Sequence, residues 1–286
     1  MTAKPPNPRR AQIEAFQAQI WAFYGHSGRH NLPWRGTSNA YKILVSEVML
    51  QQTQVSRVLE KYPEFLRAFP TIKALAEAPL THVLAAWQGM GYNRRALAIK
   101  RLAEEVATKH KGKIPRSRAE LEALPGIGSY TAGAVRAFAF NEPEVFIETN
   151  IRRVFIHHFF SSQLGHPMSK LVGDKEIMPL VEMTLDRTRP REWYWALMDY
   201  GSHLPKITKS NPNKKSKHYV QQKPFEGSHR QVRGKVLKFL TAKGKCTVAS
   251  CAKELELNPE KTKGVLGELV HESFAILTGK TYAIRH

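Results

Sequence analysis

Residues 124–135, Leu-Pro-Gly-Ile-Gly-Ser-Tyr-Thr-Ala-Gly-Ala-Val, hold two glycines one residue apart at the head of a helical run. Gly126 and Gly128 open backbone conformations closed to other residues, which predicts a very tight turn between two helices, plugged by Ile127. The second helix would start at Ser129. Its first N–H groups have no partner within the helix and lie at the positive end of the dipole, a suitable seat for a phosphate. A turn of purely structural purpose is the plain alternative. A loop at Asn141–Val145 follows, and then Phe-Ile-Glu-Thr-Asn-Ile-Arg-Arg-Val sets the carboxylate of Glu148 at the start of a further helix. A second carboxylate, Glu47, lies on the apolar stretch Ile43–Val55, where an ionised group is costly. Partial burial raises a carboxyl pKa and equips the group to hold and donate a proton near neutral pH. Capping by a neighbouring arginine is the alternative for Glu47.

The elements that must position these groups are helical. Residues 11–27 show helical spacing of apolar positions. From 41 to 135 helical patterns follow one another, broken at Phe69-Pro70, Ala78-Pro79, Gly89–Gly91 and Lys111–Pro115, with no strand-like alternation. Residues 206–227, rich in Lys, Ser, Asn and Gln, form a basic connector that includes Lys206, Lys209, Lys214, Lys215 and Lys217. Residues 228–286 form a separate unit of three helices, Arg230–Thr241, Val248–Leu255 and Glu260–His271, the last capped by Asn258. Phe274–Arg285 then reads as a two-stranded hairpin turning at Thr278-Gly-Lys. That order predicts a winged helix, suited to a DNA groove or equally to a protein partner. Residues 1–10 are Pro-rich, lack the apolar core of a signal peptide and are expected to be disordered.

The chain of 286 residues has 44 Lys+Arg against 24 Asp+Glu, a net charge of +20 and a pI near 10.0. Such an excess is the footprint of a polyanionic partner; charge kept for solubility is the bland alternative. No apolar run approaches the ~20 residues that span a membrane. The two cysteines, Cys246 and Cys251, fit a reducing compartment and exclude a disulfide framework. They read as residues on a core face.

On these residues the chain resembles the helix-hairpin-helix DNA glycosylases, and within them the MutY-type adenine glycosylases. The matching stretches are Leu32-Pro-Trp-Arg, Tyr41-Lys, Ser46-Glu-Val-Met-Leu-Gln-Gln-Thr-Gln-Val, Trp87-Gln-Gly-Met-Gly-Tyr, the hairpin, and Ala196-Leu-Met-Asp-Tyr-Gly, in family order from about residue 10 to 205. The resemblance implies a mostly α, two-lobed fold with the active site in the cleft. Residues 31–134 would form a six-helix module, and 11–30 with 135–205 the second lobe. It implies that Glu47 protonates a ring nitrogen of the departing adenine and that Glu148 stabilises the sugar cation, with Asn150 orienting Glu148 or water. Tyr130 stands where bifunctional relatives carry a lysine; a phenol forms no Schiff base, so the enzyme would be monofunctional. Gln52, with Gln51 beside it, matches the family's wedge into the base stack, and Tyr92 its companion near the estranged base. Trp34 and Arg35 match residues lining the base pocket, although Trp34 suits a core equally well. Gly126, Gly128, Ser129 and the connector lysines would hold phosphates of double-stranded DNA containing a mispaired or damaged base. A monomer of the bacterial cytoplasm, associated with the nucleoid, is the expected setting.

The chain departs from the family in three places. Glu148 stands where relatives have Asp, one methylene longer. Pro205 stands where the first of four iron–sulfur ligands would fall, and the connector has no cysteine, so no cluster or other cofactor is expected. The family's C-terminal domain that reads 8-oxoguanine is expected to be absent, with the winged-helix-like unit in its place. Excision of adenine opposite guanine or 8-oxoguanine is the primary reading. A thymine or uracil glycosylase acting opposite guanine and a non-catalytic DNA-binding protein are the alternatives; Met49-Leu-Gln-Gln-Thr favours the adenine branch.

Overall fold

The computed structural model describes residues 6–160, 171–222 and 224–285. In chain order the described helices are α1 (Arg10–Ser27), α2 (Ala40–Leu50), α3 (Val55–Ala68), α4 (Ile72–Glu77), α5 (Leu80–Ala86), α6 (Arg94–Lys109), α7 (Arg118–Ala123), α8 (Ser129–Phe140), α9 (Thr149–Phe159), α10 (Asp174–Thr184), α11 (Pro190–Thr208), α12 (His229–Lys243), α13 (Val248–Glu254) and α14 (Pro259–His271). The strands are β1 (Lys245–Cys246), β2 (Ala275–Thr278) and β3 (Thr281–Ile284). The mostly helical class is as the sequence predicts. Among the described residues no helix is long and apolar enough to cross a membrane.

The chain divides into two compact units. The first comprises residues up to Leu44, Arg116–Glu122 and Ile127–Gln221. Its core is aromatic: Phe16 of α1 meets Phe155 and Phe159 of α9 at 5.5 and 5.1 Å and Trp193 of α11 at 6.0 Å. Such tilted and edge-to-face pairs add to the burial of large apolar side chains. Gly201 of α11 is required by this packing, because a Cβ there would lie 2.3 Å from the Asn150 carbonyl oxygen. α9 and α11 therefore touch backbone to backbone at the first turn of α9.

The second unit comprises Val45–Pro115, Ala123–Gly126 and the chain from Gln222 onward. Phe65, Phe69 and Trp87 pack around α3 and α5. The C-terminal helices and sheet belong to this unit, with α12 lying on α5. Asn258 caps α14 by accepting from the Lys261 N–H, as its position before Pro259 implies. The sheet has three strands in the order β1-β3-β2, all antiparallel. The expected hairpin is present, and the short β1 is an addition: two residues are too few to show an alternating pattern. Cys246 and Cys251 are both buried and share a hydrogen bond.

Two local expectations change. Only Gly126 takes the left-handed region, at φ 77°; Gly128 caps α8 in an extended conformation that any residue adopts. A Cβ on Gly126 would also lie 2.7 Å from the Ala98 Cβ of α6, so the turn needs this glycine for both conformation and space. The connector is also folded in part. α11 continues through Pro205 to Thr208. A 3₁₀ turn at Pro212–Lys215 follows, and Ser216 bridges Val172.

Candidate active site

In the first unit, Glu148 is the N-cap of α9. Its Oε1 accepts from the N–H groups of Asn150 and Ile151 at 2.7 and 2.8 Å, and its Oε2 accepts from Asn150 Nδ2 at 3.2 Å. Short acceptors are the favoured caps; here the longer side chain folds back onto its own helix. Burial raises the Glu148 pKa above the ordinary carboxylate value, against the lowering effect of the two N–H donors and of Arg153 and Arg152. The Asn150 side chain is itself fixed, since Arg153 Nη1 donates to its Oδ1 and to the Gly201 carbonyl, both at 2.7 Å. Arg152 is turned elsewhere, into a bidentate pair with Asp174 at 2.7 and 2.9 Å.

The folded connector supports the same turn. Asn213, buried, donates from Nδ2 to the Thr149 carbonyl at 2.9 Å, and Asn211 Oδ1 accepts from Arg153 Nε at 3.2 Å. Of the connector lysines, Lys206, Lys209 and Lys214 are exposed and Lys215 is half-buried. Lys217 lies 3.7 Å from Glu176.

Tyr130, part-exposed in the first turn of α8, packs its ring against Phe146 with centroids 5.8 Å apart. No side chain caps this helix at Gly128. Ser129 is exposed, and its hydroxyl accepts from Arg118 Nη2 at 2.6 Å. Trp34 is buried in a short 3₁₀ turn. Arg35, expected in a base pocket, is engaged instead in a buried ion pair. Its guanidinium meets Asp199 at 2.7 and 2.9 Å, and the two side chains are only 4% and 2% exposed. Arg29 also donates to Asp199, through its backbone N–H and Nε, both at 2.7 Å. Asp199, in the Ala196–Gly201 stretch, thereby holds the segment after α1 to α11. The guanidinium groups keep its carboxyl below the usual range although burial opposes them.

In the second unit, Glu47 lies on α2 and is 5% exposed. The end of that helix is organised by Arg95, which sequence reasoning passed over. Its Nη1 donates to the carbonyls of Val48, Met49 and Gln51 at 2.9, 2.9 and 2.6 Å. Its Nη2 donates to the carbonyls of Met90 and Gly91 at 3.0 and 3.1 Å and to Thr53 Oγ1 at 3.0 Å. A buried cation thus closes the C-terminal end of α2 and the loop before α6 together. Burial lowers its pKa to about 10, so it stays protonated at neutral pH. The turns it joins carry Gln52 at φ 53° and Tyr92 at φ 46°. Left-handed backbone is uncommon for such side chains and marks built rather than relaxed geometry. Gln52 is exposed and Tyr92 is 38% exposed. Beside them a groove of about 210 Å³ runs from Gln51 along α6 to Pro125 and Gly126 of the hairpin.

A four-thiolate cluster does not fit this donor set. The chain has two cysteines, both buried in the C-terminal part of the second unit, and burial pushes the Cys251 thiol up to about 12. Among the described residues no group of three or more His, Cys, Asp or Glu is placed to hold a metal ion.

Residues 45–172 match the family model described as HhH-GPD superfamily base excision DNA repair protein. Over 201 residues the chain is 38% identical to the adenine DNA glycosylase of Buchnera aphidicola subsp. Baizongia pistaciae, covering 69% of this chain and 54% of that protein. It is 32% identical to the adenine DNA glycosylase of Homo sapiens, covering 67% of this chain and 36% of that protein. The chain therefore spans about half or less of the length of these relatives. Among solved structures, a thermostable thymine-DNA glycosylase superposes with a TM-score of 0.61 at 26% identity, over 73% of this chain and 97% of that one. A trapped endonuclease III–DNA covalent intermediate superposes at 0.53 with 20% identity, over 77% and 92% of the two chains, and shares the fold.

Proposed function

We propose that this chain, whose residues 45–172 match the HhH-GPD family model, is a monofunctional glycosylase that removes adenine from a mispair with guanine or 8-oxoguanine in double-stranded DNA. Two relatives named as adenine DNA glycosylases match about two thirds of it. The observation that carries the reading is a carboxylate of each kind the reaction needs. Glu47 is enclosed on an apolar helix, and Glu148 is oriented by three donors.

Hydrolysis requires a flipped nucleotide, a proton for the base and a stabilised oxocarbenium-like sugar. Glu47 donates its proton to a ring nitrogen of adenine as the bond from C1′ to N9 breaks, and the bonding pair leaves with the base. Glu148 faces the positive charge that develops on the sugar, held in place by Asn150 and Arg153. Water then attacks C1′ and gives up a proton to Glu47, which leaves a free base and an abasic site. Tyr130 has no amine with which to form a Schiff base, so the strand stays intact. Gln52 and Tyr92 enter the stack. The α8 N-terminus at Gly126, Gly128 and Ser129 takes a phosphate, and Lys206, Lys209, Lys214 and Lys215 take others. The protein acts as a monomer, without a cluster, in a bacterial-type cytoplasm.

The likeness to a thymine-DNA glycosylase over 97% of that chain supports a second reading, removal of thymine or uracil opposite guanine. Duplexes bearing A, T, U or hypoxanthine opposite G separate the two. Alkali-dependent cleavage at A supports the first reading, and cleavage at T or U with A intact supports the second.

A further inference from the structure

Two residues that the proposed function places in the DNA stack are each held by the C-terminal segment of their own unit. Gln222 Nε2 donates to Gln52 Oε1 at 3.0 Å. Arg230 Nη1 donates to the Tyr92 hydroxyl at 2.9 Å, and its guanidinium carbon lies 6.0 Å from the Tyr92 ring centroid. Arg230 is half-buried, and its bond to Tyr92 lies at the surface. Three residues on, along the same face of α12, Arg233 forms a bidentate pair with Glu272 at 2.9 and 2.8 Å. Glu272 also accepts from Nε and Nη2 of Arg94 in α6, both at 2.7 Å. Glu272 therefore clamps α12 to the first turn of α6, next to the Tyr92 loop that Arg95 fixes from inside. Tyr92 and Arg230 form one assembly.

We propose that Arg230 reads the base opposite the excised one, and that it selects unmodified guanine. The proposal rests on the reading that Tyr92 enters the duplex. A base stacked on the Tyr92 ring lies within reach of a guanidinium already bonded to that ring's hydroxyl. A guanidinium has donors only, arranged as a fork. Guanine offers N7 and O6 as paired acceptors for such a fork, whereas cytosine presents a donor there and thymine a single acceptor. In 8-oxoguanine N7 carries a hydrogen, so one of the two bonds is replaced by a donor facing a donor. The C-terminal domain thus supplies the specificity, and the favoured opposite base is guanine over 8-oxoguanine.

The test is equilibrium binding of the full chain, at one fixed salt concentration, to duplexes with a tetrahydrofuran abasic analogue opposite G, 8-oxoguanine, C or T. The parent should bind the G duplex tightest, by about tenfold or more, the scale of one good bidentate contact. Arg230→Ala should erase that ranking. Arg230→Lys, which keeps the charge and loses the fork, should keep the affinity for the C and T duplexes and still lose the preference for G. If Arg230→Ala weakens all four duplexes alike, Arg230 contacts a phosphate and the proposal is overturned; a parent that prefers 8-oxoguanine overturns it too. A parallel excision assay on A opposite G keeps the two readings apart. Absent excision with the ranking intact contradicts the proposed function and leaves the inference standing.

Discussion

At the scale of single residues, Glu148 shows how much a side chain's type tells and what it withholds. A carboxylate at the start of α9 was legible from Phe-Ile-Glu-Thr-Asn. That its extra methylene is taken up in folding back onto the N–H groups of Asn150 and Ile151 was not, because N-cap geometry depends on backbone angles. If the charge of Glu148 stabilises the sugar cation, Glu148→Gln should lower single-turnover excision by about 10²-fold or more. Glu148→Asp should stay active, since it keeps the charge. Both variants should bind DNA with little change in affinity. Because burial raises the Glu148 pKa, its ionised form accumulates only above the ordinary glutamate value of about 4.3. Excision should therefore climb with pH along an acid limb above that value, and Glu148→Gln should flatten the limb. Ionising Glu148 correspondingly opposes folding as pH rises through that range, so acid unfolding is not driven from this position. An excision rate in Glu148→Gln equal to the parent's would leave the residue as a helix cap alone.

At the scale of elements, most helices were readable from apolar spacing and proline breaks, and the ties between them were not. Arg35 matched a base-lining position yet is paired with Asp199, and Arg95 was passed over as one basic residue among many in α6. Buried arginines are invisible to a pattern that treats charge as surface. Removing one partner of a buried pair strands the other charge, at a cost of about 3–5 kcal/mol. Asp199→Asn should therefore lower the melting temperature markedly near neutral pH, and calorimetry would measure it. Asp199 has a lowered folded pKa, so its stabilisation is present above the ordinary aspartate value of about 3.9 and is lost as pH falls through the folded value. The parent and Asp199→Asn melting curves should converge in that acid range. A gap of constant size down to low pH would mean that packing, and not charge, holds this junction.

At the scale of the whole molecule, the charge of +20 points to a polyanionic partner, and part of it lies in a connector that has local structure of its own. In sequence the connector reads as a basic run expected to hold phosphates, and its Lys, Ser and Asn carry no periodicity that would show local structure. Asn211 and Asn213 nonetheless fasten it to the first turn of α9, and Lys206, Lys209 and Lys214 remain exposed. Replacing these three lysines by glutamine should flatten the slope of log K against log salt by roughly 0.9 for each phosphate no longer neutralised. An unchanged slope would confine the segment to a structural role. The central claim is hydrolytic release of adenine without strand cleavage, and one gel tests it most directly. The protein is incubated with a duplex holding adenine opposite guanine, with borohydride present in one sample and alkali added afterwards to another. Scission of the adenine strand only after alkali, with no borohydride-trapped protein–DNA adduct, is the predicted result. An intact strand after alkali, or a trapped adduct in quantity, would contradict it.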